Sequence, residues 1–222
     1  LAALFTVDGA FRMHATAETS WQFAGHLHAA DERLVGSGNV IAQDCLPVEG
    51  QSCLLARGAL IRLTSADASR LEGAIHVGDD TWQFALAWPS ALAMSSYRAP
   101  PDLAAIDGHY EIVLGDFRPA ELLIMSVDRA GRAFFQSAAQ GCTGNGHIQP
   151  HGDTRFNVFE VSLTIDSCGG DHARLNGSFE GLATVNLQSP WDYSDTLLMW
   201  LAKLDHDGVT APAAIELRGI PR

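Results

Sequence analysis

Apolar residues recur at every second position in two windows of the chain. In residues 81–88, Trp82, Phe84, Leu86 and Trp88 share one face, and Gln83, Ala85 and Ala87 share the other. In residues 157–165, Phe159, Val161, Leu163 and Ile165 line up against Val158, Glu160, Ser162 and Thr164. A period of two is the mark of a strand with one buried face. Further strands are predicted at 10–16, 21–29, 57–63, 71–77, 108–114, 121–127, 133–137, 175–187, 196–204 and 213–219. The turns between them are marked by Asp31-Glu32, Gly78-Asp79-Asp80, Arg129-Ala130-Gly131 and Asp205-His206-Asp207-Gly208. No window keeps a helical period. One helical turn is predicted at 101–106, with a proline at its start.

The order of these elements repeats. Asp8-Gly9-Ala10-Phe11 opens the first half and Asp107-Gly108-His109-Tyr110 the second. Each opening is followed by a charged turn (Asp31-Glu32-Arg33; Asp128-Arg129) and a strand of small residues. A cysteine-bearing loop, an aliphatic strand and a Leu-x-Gly strand come next (Leu71-Glu72-Gly73; Leu175-Asn176-Gly177). With Pro100-Pro101 as the joint, the predicted fold is all-β, with two similar antiparallel β-barrel or sandwich lobes at residues 1–100 and 101–222.

Composition narrows this picture. With 47% hydrophobic and 18% charged residues, the 222-residue chain has ample material for packed cores. The excess of 26 acidic over 14 basic side chains sets a formal charge of −12, which repels phosphate backbones, so no nucleic-acid partner is expected. No apolar run is long enough for a transmembrane helix. Residues 1–5 lack the basic start of a signal peptide, and the absent initiator Met points to a removed leader or a truncated chain. Cys45, Cys53, Cys142 and Cys168 fall two per half, none in a C-x-x-C pair. Pairing within each half, Cys45 with Cys53 and Cys142 with Cys168, is expected to staple the lobes. That in turn implies an oxidising compartment.

The second half also carries a recognisable signature. It runs Gly141-Cys142-Thr143, Gly146, Asn157-x-Phe159-x-Val161, Cys168, then Leu175-Asn176-Gly177-x-Phe179-x-Gly181-Leu182-Ala183, with residues 101–110 as its lead-in. This resembles a family of uncharacterised bacterial secreted proteins and lipoproteins with duplicated small β-barrel lobes. The resemblance implies export to the periplasm, outer membrane or cell exterior, often with a lipidated cysteine, here an anchor outside the given chain. It implies no activity.

Candidate chemistry is sparse. His147 and His151, with Asp153 and His109 or His172, are the densest group of metal-ligand types, set in a stretch that reads as an exposed polar turn. His26 and His28 share a strand face. Asp205-His206-Asp207-Gly208 opens like a calcium loop but lacks its later ligands. No nucleophile elbow, zincin helix, phosphate loop or dinucleotide fingerprint occurs, so no catalytic residue and no cofactor is expected. Trp191 and Tyr193, in a loop that opens with Pro190, are the expected anchors for a protein or carbohydrate partner. The expected function is a non-enzymatic exported binding or structural module. The alternatives are a carrier of a small hydrophobic ligand, haem or metal, and then a hydrolytic enzyme.

Overall fold

The computed structural model of the chain describes residues 2–5, 10–16, 20–30, 33–43, 54–67, 70–87, 99–114, 123–137, 141–152, 155–186, 196–203 and 213–221. The fold is all-β and antiparallel, in two units, Leu1–Pro89 and Ser90–Arg222.

The first unit is a seven-stranded meander in chain order: β1 (Ala2–Phe5), β2 (Ala10–Thr16), β3 (Ser20–Ala30), β4 (Arg33–Gln43), β5 (Leu54–Asp67), β6 (Arg70–Val77) and β7 (Asp80–Ala87). Alternation gathers one face of β2–β6 into a common core that includes Phe11, Met13, Phe23, Val40, Ile61, Leu63 and Ile75. Phe11 and Phe23 sit with ring centroids 5.5 Å apart in a tilted pair.

The second unit is a closed eight-stranded barrel. Its strands are β8 (Gly108–Leu114), β9 (Leu123–Val127), β10 (Arg132–Gln136), β11 (Thr143–Pro150), β12 (Phe159–Asp166), β13 (Gly177–Asn186), β14 (Thr196–Lys203) and β15 (Ala213–Pro221). Neighbours pair in chain order, and β15 returns to β8 to close the ring. Eight strands enclose a space that side chains can fill. Tyr110, Met125, Phe135, Phe159, Val161, Phe179, Leu197 and Leu201 occupy it, with Phe159, Phe179, Leu197 and Leu201 at 0% exposure. Apart from Phe134, which is 56% exposed, the outer face of β10–β12 is polar. Arg132, His147, Ser162 and Glu180 are cross-strand neighbours in one exposed row.

Two departures from the sequence reading share one origin. The stretch around His147, expected as a turn, is strand β11. Its inward positions are Gly144, Gly146, Ile148 and Pro150, so two of four lack a side chain and the period of two is silent there. This strand also upsets the matched order of elements. Among the described residues, five strands (β2–β6) run from the first Asp-Gly opening to its Leu-x-Gly strand, and six (β8–β13) in the second half. The helical turn expected at 101–106 is a short 3-10 turn, Leu103–Ala105, capped by the Asp102 carboxylate on the Ala104 N–H at 2.8 Å.

Candidate functional site

The signature residues meet at the two ends of the barrel. At one end Cys142 and Cys168, both buried, form a disulfide between the start of β11 and the end of β12. The Asn176 side chain lies against the same segment. Its amide oxygen accepts the Cys168 N–H at 2.9 Å and its amide nitrogen donates to the Cys168 carbonyl at 3.1 Å. The Asn176 carbonyl in turn accepts a bond from Lys203 Nζ at 2.9 Å. Lys203 is 4% exposed, with its ammonium 5.7 Å from the centre of the Phe179 ring. The lysine stem passes over Gly177, where φ is +131° and a Cβ would stand 2.8 Å from Lys203 Cδ. A 3-10 turn, Gly170–Leu175, delivers buried Leu175 to this end. Thus Leu-Asn-Gly is an end closure: a core plug, a backbone clamp and a gap for a buried lysine.

The opposite end is built differently. Ile106, from the lead-in, is fully buried, and its carbonyl accepts the Tyr110 hydroxyl at 2.8 Å. The β9–β10 turn is held by Asp128, which accepts the N–H groups of Ala130 and Arg132 at 2.9 Å each and the Arg132 Nε at 2.6 Å. The Arg132 backbone N–H, more than any other partner, holds this carboxyl below the usual carboxylate range, and partial burial works against it. Arg129 Nε reaches Asp107 at 2.8 Å. Gly131 follows at φ +77°, where its carbonyl accepts the Ile148 N–H at 2.7 Å. Asn157, also buried, spans to β13: its side chain donates to the Val185 carbonyl at 3.1 Å, and its own carbonyl accepts the Thr184 hydroxyl at 2.6 Å.

At this same end the histidine candidates separate. His147 lies exposed on the outer face of β11 between Arg132 and Ser162. His151 is 8% exposed, and its Nδ1–H donates to Glu160 Oε1 at 2.8 Å, while Gln149 Nε2 donates to Glu160 Oε2 at 2.7 Å. Four residues along extended chain put the two histidines roughly 13 Å apart, too far to share one ion. His109 is exposed on β8 opposite Ser126, His172 belongs to the 3-10 turn at the other end, and Asp153 lies outside the described residues. Among the described residues no three His, Cys, Asp or Glu side chains are grouped to hold a metal. His26 and His28 are exposed on one face of β3, two residues apart.

Trp191, Tyr193, Cys45, Cys53 and the 205–208 run all lie outside the described residues. The base of the Trp191 and Tyr193 connection is described, however. Asn186 and Thr196 are ladder partners, so the segment between them leaves and re-enters at the Asn157 end. The Asn157 clamp grips Thr184 and Val185 just before that connection. Sequence reasoning missed Asn157, Glu160, Asn176 and Lys203 as structural partners. Cross-strand pairing of Gln149 with Glu160 is the signal that finds the second.

Comparison with protein-family models, with curated proteins and with solved structures found no match for this chain.

Proposed function

We propose that this protein is a non-enzymatic binding module that presents a rigid β surface to a protein or carbohydrate partner, in the periplasm or at the cell surface. The observation that carries the reading is the Asn157 clamp at the base of the connection bearing Trp191 and Tyr193. Ordering a loop on binding costs free energy, and a loop with fixed ends has less to lose. Aromatic residues on such a support are efficient anchors. Among the described residues, the packing of Phe159, Phe179, Leu197 and Leu201 at 0% exposure inside the second unit supports this reading over the carrier. The Cys142–Cys168 disulfide supports an oxidising compartment.

Native mass spectrometry of the protein purified from its own host tests the carrier directly: a retained small molecule or haem overturns the proposal. Calorimetry with zinc, copper and haem is the companion measurement. Micromolar binding that disappears on His147→Ala with His151→Ala also overturns it. The supporting result is a macromolecular partner whose affinity falls by about 1–3 kcal/mol on Trp191→Ala or Tyr193→Ala.

A further inference from the structure

We propose that the first unit is a strand acceptor: its β7 edge takes up one extended segment of a partner protein, apolar at alternate positions and basic at its C-terminal end. The argument begins with parity. Successive strands of an antiparallel meander reverse direction, so an even number lets the first and last pair directly, as β8 and β15 do. Seven strands leave β1 and β7 running the same way. Among the described residues β1 pairs with β2 alone and β7 with β6 alone. A strand antiparallel to β7 is also antiparallel to β1, so the parity of the sheet lets one added strand extend β7 in the sense the meander already follows.

The register identifies the groups available. The β6–β7 turn has two residues, Gly78 and Asp79, so Val77 and Asp80 form a hydrogen-bonded pair and such pairs alternate onward. Trp82, Phe84 and Leu86 therefore aim their backbone groups at β6, whereas Thr81, Gln83 and Ala85 aim theirs at the edge. Edge strands are commonly protected by proline, lysine or inward-pointing charge. Residues 81–87 carry none of these. Phe84 and Leu86 pack on the core yet remain only half-buried, in contrast to Ile75 on the adjacent strand at 0%. Asp79 and Asp80 are exposed at the start of β7, where an antiparallel segment ends, so lysine or arginine at that end is the complementary charge. The β7 edge of a second copy brings no lysine or arginine in residues 81–87 to meet Asp79 and Asp80, which favours a basic-ended extended peptide over a second folded copy.

The test uses the intact chain and the peptide Thr-Val-Thr-Val-Thr-Val-Thr-Lys-Lys. The expected result is saturable binding, with amide exchange at Gln83 and Ala85 slowed about tenfold or more and β14 unchanged. The same peptide N-methylated at alternate residues should not bind, and Ala85→Pro should weaken binding at least about tenfold. If Ala85→Pro lowers the melting temperature, the N-methylated peptide alone decides. Three results overturn the proposal: no protection by the peptide, Gln83 and Ala85 as slow as β6 in the free chain, or a peptide-independent dimer protected at these amides. None of them bears on Trp191 and Tyr193, whose proposal stands or falls separately.

Discussion

Removing the Cys142–Cys168 cross-link should cost the second unit about 3.5 kcal/mol. The bond closes a loop spanning 26 positions, and the chain-entropy relation assigns that value to the conformations denied to the unfolded chain. Cys142→Ala with Cys168→Ala is the appropriate change, because both sulfurs are buried and serine would bring in two hydroxyls needing partners. At an ordinary urea dependence for one domain, the loss is a midpoint lower by roughly 1–3 M. The chain has two units, so the measurement must resolve them. Urea titration read by hydrogen exchange, with peptides from β2–β6 and from β10–β14 followed apart, does so. The β10–β14 peptides should lose protection early and the β2–β6 peptides at the original midpoint. A shift equivalent to less than about 1 kcal/mol would refute the entropy argument. An equal shift in both sets would refute independent unfolding of the units.

Three further outcomes follow from the barrel ends. Asn176→Ala leaves the Cys168 N–H and carbonyl without their partner and should destabilise the second unit by about 1–3 kcal/mol in the same urea assay, with Asn176→Asp losing less. Gly131→Ala puts a side chain at φ +77° and a Cβ within contact of the Ile148 carbonyl; strain alone is worth about 1–3 kcal/mol, visible as a thermal midpoint several degrees lower. Asp128 titrates below the ordinary carboxylate range when folded, so its contribution is present above the unfolded value and fades as pH falls through the lowered folded one. Thermal melts across the acid range should show that fading in the parent chain and its loss in Asp128→Asn.

The strands and the core were legible where side chains announce them. Residues 159–165 alternate Phe, Val, Leu and Ile inward, and the sequence period and the burial pattern coincide. The within-half pairing of Cys142 and Cys168 was legible from their count and placement, and the disulfide is present. Strand β11 was not, because glycines at two of its inward positions erase the alternation that strand recognition relies on. His151 was read as an exposed turn residue, yet it is buried against Glu160, nine residues on, brought close only by the β11–β12 ladder. Lys203 fell within the strand predicted at 196–204 and was not singled out. Its ammonium goes inward because the glycine at position 177 and the Asn176 carbonyl, 27 residues earlier, give it a path and an acceptor. The misses at His151 and Lys203 both involve a partner set by register, which local pattern does not contain.

The residues of the sequence pattern in the second unit are used in closing it: Cys142, Cys168 and Asn176 at one end, Asn157 at the other, with Phe159 and Phe179 inside. Such residues act in forming the barrel, and the proposed recognition then falls to the wall and the connections. This separation can be tested on residues 187–195. Asn186 and Thr196 are already neighbours across the β13–β14 ladder, so a short Asn-Gly turn can join the strands without disturbing their register. Shortening a loop lowers its closure cost slightly, and the Asn157 clamp on Thr184 and Val185 remains intact. The shortened protein should therefore keep the stability of its second unit within about 1 kcal/mol while losing partner binding. Loss of both together would place residues 187–195 among the structural parts of the barrel. Retained binding would move recognition to the polar wall, where Arg132, His147, Ser162 and Glu180 are the next row to alter.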